Sequence, residues 1–192
     1  MPKSGLPCPS AMLSDIARFD LDLSHALADV RWGPLTALAL VASMWPVKGA
    51  VICAIGAAGD VRSRRYLLPG SLVAAGAGGV AAAATALVKD VFDRARPPIA
   101  DPGFLAAVST PGSPSFPSGH ASTAFAAATV VALLHPRLRW PALAIAGLVA
   151  LSRVYLGVHF TLDVTVGALF GAAIGGAAVW LVRRVEPRLS RA

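Results

Sequence analysis

A chain of 192 residues has room for one domain, or two very small ones. Hydrophobic residues make up 56% and charged residues only 14%, with a mean hydropathy of +0.66; ordinary soluble domains run at about 45–50% and about 25%, so a soluble globule is disfavoured and disorder is excluded for most of the length. The net charge of +7 invites a nucleic-acid reading, but nine of the seventeen basic residues (Arg62, Arg64, Arg65, Arg137, Arg139, Arg183, Arg184, Arg188, Arg191) fall in three short segments between apolar stretches. That is the pattern of cytoplasmic loops under the positive-inside rule, and without a basic helix or an aromatic platform nucleic acid is discounted as a partner.

In chain order, residues 1–10 carry three prolines and read as a loose tail. Cys8 lies there and Cys53 in an apolar stretch, so no disulfide framework is expected. The few residues before Cys8 lack the apolar region of a cleavable signal, so Leu6-Pro7-Cys8 is not read as a lipidation site. From Ala11 to Arg31, Leu13, Ile16, Leu21, Leu27 and Val30 alternate with Asp15, Arg18, Asp20, Asp22 and Asp29. This predicts an amphipathic helix on the membrane surface, with a solvent-exposed leader as the plainer alternative.

Residues 33–59 are apolar around Pro46 and Lys48, which suits either one kinked span or a bent pair of half-helices. Leu67–Val88 offers 22 uncharged residues, enough for a bilayer core of about 30 Å at about 1.5 Å per residue. Ser118–Leu134, Trp140–Gly157 and Val164–Val182 continue the series. The expected fold is therefore all-α: a polytopic membrane bundle of about five spanning helices plus the N-terminal amphipathic helix. After the tail, residues 11–192 form a single membrane-embedded domain with its motif-bearing core at 67–182. Gly167, Gly171 and Gly175 recur every four residues, a face that a neighbouring backbone can approach closely. Gly76, Gly78 and Gly79 lack the preceding strand of a nucleotide loop and read as helix-packing positions.

With the basic loops inside, residues 89–117 and 158–163 fall together on the opposite face. Three clusters gather there: Lys89, Asp90, Asp93, Arg94, Arg96 and Pro97; Pro117-Ser118-Gly119-His120; and Ser152-Arg153 with His159 and Asp163. Singly, each has a bland explanation as interfacial anchor, helix cap or polar filler. Collectively they are costly, since a cation at mid-bilayer costs about 2.5–3.5 kcal/mol. Lys89, Arg96 and Arg153 suit phosphate oxygens. The helix start at Ser118, Gly119 and His120 adds an anion-binding end, with Gly119 permitting close approach. His159 and Asp163 are four apart, so on one helical face the carboxylate can fix the imidazole tautomer and leave the other nitrogen to attack phosphorus. His120 can then protonate the leaving oxygen. No three-ligand metal arrangement appears, so neither metal nor cofactor is expected.

These blocks resemble the type 2 phosphatidic acid phosphatase superfamily, whose active site is shared with vanadium haloperoxidases. The family pattern is Lys, six residues, Arg-Pro; then Pro-Ser-Gly-His; then Ser-Arg, five residues, His, three residues, Asp. Lys89 with Arg96-Pro97, Pro117 to His120, and Ser152-Arg153 with His159 and Asp163 fill every position. The resemblance implies a helical bundle with a phosphohistidine on His159, supported by Asp163, with His120 as general acid and Lys89, Arg96, Ser118, Gly119 and Arg153 holding phosphate. It also implies a lipid phosphate or diphosphate substrate at the outer face of the membrane.

Small bacterial members resemble undecaprenyl-diphosphate phosphatases, and that substrate is the expectation here, at the periplasmic or extracellular face of a bacterial cytoplasmic membrane. Phosphatidylglycerophosphate, phosphatidate and prenyl-phosphoryl sugar phosphates are the rivals. A soluble haloperoxidase is disfavoured by the spans, and a catalytically silent scaffold or transporter by the intact His120, His159 and Asp163. The loop from Asp101 to Pro114 is expected to shape head-group access. Oligomeric state leaves no trace in the sequence.

Overall fold

The computed structural model describes residues 9–44, 47–63 and 68–189. Cys8, Pro46, Arg64, Arg65 and Leu67 lie outside the described residues, as does most of the expected tail. The described residues form helices joined by turns and loops, with no strand among them.

Helix α1 spans Pro9–Asp29, beginning two residues before the expected start at Ala11 because proline is well tolerated in a first helical turn. The apolar region that follows is two helical halves, not a single kinked rod. Helix α2 covers Gly33–Ser43 and stops where Met44 turns extended (φ −66°, ψ 147°). A π-helical turn, Val47–Val51, then runs into α3, Ile52–Ser63.

Helix α4, Gly70–Phe92, ends in a left-handed cap at Asp93 (φ 40°), whose N–H returns to the Lys89 carbonyl. The short α5, Pro97–Ala100, precedes the 101–118 loop. Helix α6 is Gly119–Leu134, and a 3₁₀ turn at Pro136–Leu138 reverses the chain into α7, Arg139–Tyr155. Gly157, at φ +78°, makes the turn into α8, Thr161–Leu189.

Helix α6 is the axis of the bundle, packed on by α4, α7 and α8. It has buried residues on every side, from Ala121 and Ser122 to Val130, Val131 and Leu134, as befits an all-round apolar helix at the centre of a bundle. The predicted glycine face of α8 meets it: an added Cβ at Gly167, Gly171 or Gly175 would collide with the α6 backbone at Ser118, Ser122 or Ala126. Only glycine lets these two backbones approach so closely.

The outer helices turn large apolar side chains away from the bundle. Leu72, Val80, Leu87 and Val91 of α4, Leu151 of α7, and Leu169, Trp180 and Leu181 of α8 are all exposed. An apolar surface of this extent needs lipid as its solvent. Two stretches, Gly70–Ala100 and Thr161–Val185, are long and apolar enough to cross a bilayer, and the protein is a membrane protein.

At one end of the bundle meet the last turns of α4 and α7 and the first turns of α6 and α8, with α1 packed against α7 and α8. Arg62, Arg137 and Arg139 lie toward the other end.

Candidate active site

The first end gathers the ionisable residues. Beyond the Asp93 cap the chain turns so that Arg94 and Arg96 face inward, while Asp90 and Asp93 stay exposed and take no part. Arg96 is almost fully buried. Its Nε donates to the Ser113 carbonyl at 2.8 Å, its Nη1 to the Val158 carbonyl at 2.6 Å, and its Nη2 to Ser113 Oγ at 3.1 Å.

The same Nη1 lies 3.2 Å from Nε2 of His159. A guanidinium can only donate, so Nε2 accepts, and this geometry assigns the ring proton to Nδ1. Nδ1 in turn lies 3.5 Å from Asp163 Oδ2. The imidazole therefore presents a lone pair on Nε2 toward the cations, with its proton directed to the carboxylate.

His159 and Asp163 do not share a helical face. His159 sits in the turn before α8, and Asp163 is the third residue of that helix. Oδ2 of Asp163 accepts the Phe160 N–H at 3.0 Å, as an N3 carboxylate does when it reaches back to the N-cap. The link to His159 is thus built by a turn and a cap. Ser115 Oγ donates to the same Oδ2, and Arg94 Nη1 to Oδ1 at 2.6 Å.

The remaining predicted residues converge on the same end. Lys89 Nζ donates to the Pro114 carbonyl and lies 3.5 Å from that of Ser115. Arg153 is buried near the end of α7; its Nη1 donates to Ser43 Oγ of α2, and its Nε is buried with no hydrogen-bond partner. Ser118 Oγ is likewise buried and unpartnered. Both groups can donate a hydrogen bond, and an unmet buried donor costs about 1–3 kcal/mol.

One expectation at the α6 start is corrected. The Ser118 N–H is not open to a ligand, because it donates to the Asp163 carbonyl at 2.9 Å and docks α8 onto α6. Gly119 and the half-buried His120 are the first two residues of α6, at the site end of the bundle. At Gly119 an added Cβ would meet only Thr85, at an ordinary 3.7 Å.

The electrostatics follow from burial. His159 lies in the turn between two helices and is 3% exposed. Burial pushes its imidazole down to about 4; the hydrogen bond to Asp163 opposes this, and the charges of Arg96 and Arg153 reinforce it. Burial therefore favours the neutral form of the ring.

The 101–114 loop is pinned at both ends of its course. Asp101 meets His25 of α1 at 2.8 Å, Phe104 is buried against that histidine, and Ala107 N–H donates to the Leu156 carbonyl. Further on, Ser113, Pro114 and Ser115 supply the acceptors that hold Arg96 and Lys89. The loop therefore serves as the wall that aims the cations.

Sequence reasoning missed Ser43, Ser115 and above all Asp20. Asp20 reads as a polar-face residue of an amphipathic helix, yet it is 4% exposed and pairs with Arg94 at 2.8 Å. The one available signal was the crowding of charge around Arg94, which a cation so close to Arg96 makes hard to place without a counter-charge.

The fold and this end of the bundle define a phosphoryl-handling membrane protein, and the chain belongs to the PAP2 superfamily, which it matches over residues 70–187. It is 38% identical over 126 residues to the decaprenylphosphoryl-5-phosphoribose phosphatase of Mycobacterium tuberculosis, a match covering 65% of this chain and 66% of that relative. It is also 38% identical over 81 residues to the undecaprenyl-diphosphatase of Sulfolobus acidocaldarius, covering 39% of each. Among solved structures it is similar to the PAP2-type phosphatidylglycerolphosphate phosphatase from Bacillus subtilis, with a TM-score of 0.69 and 25% identity, covering 90% of this chain and 88% of that one. The relatives so named are phosphatases.

Proposed function

We propose that this protein is a membrane lipid phosphatase that works through a phosphohistidine on His159. The observation that carries the reading is the buried, neutral imidazole: Nε2 faces a guanidinium at 3.2 Å and Nδ1 faces a carboxylate at 3.5 Å. Lys89, Arg96, Arg153, Ser118 and Gly119 hold the phosphoryl group, whose oxygen replaces Nε2 as a partner of Arg96. The freed Nε2 attacks phosphorus while Asp163 stabilises the charge gained by the ring. His120 protonates the leaving oxygen and then draws a proton from the water that cleaves the P–N bond. Three cations offset the phosphate charge, so catalysis proceeds without a metal.

The spans number five in this reading: α2 with α3 as one broken crossing, then α4, α6, α7 and α8. Residues 11–192 form one domain in a bacterial cytoplasmic membrane. The arginine-rich end faces the cytoplasm and the site faces the periplasm or exterior.

The substrate is a polyprenyl lipid phosphate. The match to a decaprenylphosphoryl-5-phosphoribose phosphatase, over 126 residues, favours the terminal phosphomonoester of a prenyl-phosphoryl pentose. Undecaprenyl diphosphate is the second reading, favoured by the diphosphatase relative. Phosphate release by purified protein in EDTA, with these two lipids and phosphatidylglycerophosphate side by side, tests both points. A preference for either prenyl lipid supports the class. Preference for the glycerolipid overturns it, and dependence on added metal overturns the metal-free mechanism.

A further inference from the structure

We propose that Asp20 and Arg94 are positioning residues for the reaction, through which the N-terminal helix α1 holds the Asp163 carboxylate against His159. The proposal rests on the phosphohistidine reading above and extends it to a helix outside the superfamily match, which begins at residue 70.

Arg94 bridges two carboxylates. Its Nη1 donates to Asp163 Oδ1 at 2.6 Å and its Nη2 to Asp20 Oδ2 at 2.8 Å, while its guanidinium carbon stands 4.2 Å from the Phe160 ring centroid. Both terminal nitrogens are thus committed away from any phosphate. The carboxylate of Asp163 has a division of labour: Oδ1 belongs to Arg94, which leaves Oδ2 for His159, Ser115 and the Phe160 N–H. With Oδ1 anchored, rotation about the Cβ–Cγ bond is blocked and Oδ2 stays on the imidazole. Without it, the carboxylate is held through Oδ2 alone, by Ser115 and the Phe160 N–H, and Oδ1 is left to swing toward other cations of the site.

Asp20 completes the arrangement from a distance of more than seventy residues in sequence. Its Oδ1 accepts the Leu162 N–H at 2.8 Å in the first turn of α8, and its Oδ2 takes Arg94. Buried carboxylates are rare unless paired. A plain cap on α8 needs only a neutral acceptor, whereas this position carries a full charge directed at Arg94. The charge keeps the guanidinium from leaving its place between the two acids, an ordering role that such buried ion pairs are suited to.

Asp20→Asn separates the two duties, because an asparagine oxygen still accepts from Leu162 while its amide cannot pair with a guanidinium. The test uses the full-length protein in detergent, with kcat and KM for its best lipid phosphate and Ki for orthovanadate as an independent readout of the phosphate pocket. Asp20→Asn and Arg94→Gln are expected to lower kcat at least tenfold, with KM and the vanadate Ki within twofold of wild type. The double variant is expected to be no more than twofold slower than Arg94→Gln alone, and Arg94→Lys to recover little, since one ammonium does not span both acids. Asp22→Asn, on the exposed side of α1, is the neutral control.

Wild-type turnover with kcat of Asp20→Asn within twofold overturns the brace alone. So does a parallel loss of kcat and vanadate affinity, which marks general collapse of the site. Turnover that survives His159→Ala overturns the phosphohistidine reading, and the brace falls with it. If Asp20→Asn does not fold, Arg94→Lys and Arg94→Gln carry the same kcat-against-Ki test.

Discussion

Two of the aspartate–histidine pairs among the described residues stand at opposite ends of the bundle, and they differ in everything but their chemistry. At the site end His159 meets Asp163 across 3.5 Å amid Arg94, Arg96 and Arg153. At the other end His135 Nε2 meets Asp60 Oδ1 at 3.0 Å. Asp60 also accepts the N–H groups of Gly70 and Ser71 at 2.7 and 2.9 Å, so it caps α4 from α3. The His135 ring fills the space that glycine leaves at positions 59 and 70. One pair is closed by backbone and packing; the other leaves Nε2 facing cations and unpaired buried donors. An Asp–His pair is therefore no site by itself. What surrounds the second ring nitrogen decides.

The comparison breaks most sharply at His159. His159→Ala is expected to abolish phosphate release, by at least about 1,000-fold, with the protein still folded, as removal of a triad member does. His135→Ala is expected to leave kcat within twofold. Equal losses from the two alanines, assayed in one preparation, would erase the distinction between the ends.

Arg153→Lys comes next, at about 10- to 100-fold in kcat/KM, because a point charge replaces the planar fork that the proposed function assigns to phosphate. Unchanged kinetics there would leave Arg153 as a helix anchor held by Ser43.

The pH profile is a subtler test. Depressed to about 4, His159 loses its proton well below the ordinary imidazole value of about 6.5. Protonation removes the nucleophile, so the acid limb of kcat/KM is expected to fall below pH 6, with full nucleophilicity above it. An acid limb centred near 6.5 would mean a solvated imidazole.

The smallest effect belongs to the far end. His135→Ala is expected to cost about 1–3 kcal/mol of stability, through the hydrogen bond lost to Asp60 and the void left beside Gly59 and Gly70. Thermal unfolding in detergent measures it.

Much of this was legible beforehand. The apolar runs placed α4, α6 and α7 within a few residues and the start of α8 likewise, though α8 runs on past Val182 to Leu189, since span length and charge are local properties of a sequence. The four-residue glycine repeat foretold a close backbone contact on that face, and the structure shows α6 to be the partner. Loop charge brought the site blocks to one face, and the structure places Arg96, Arg153 and Asp163 around His159 there. Three details could not be read: whether residues 33–59 bend or break, that Ser118 spends its N–H on Asp163, and that His159 and Asp163 are joined by a turn. Each depends on where the chain leaves the helix, and a spacing of four residues is compatible with either geometry.

By itself, then, the sequence determined the solvent of the protein, its helices, and which chemical groups lie at one depth, because hydrophobicity, helical period and loop charge act on neighbouring residues. Tertiary structure decided which groups touch. Asp20 reaches Arg94 across 74 positions and Ser43 reaches Arg153 across 110. No local pattern encodes those pairings, since they arise only when packed helices bring distant side chains within hydrogen-bond range, and burial makes each pairing obligatory.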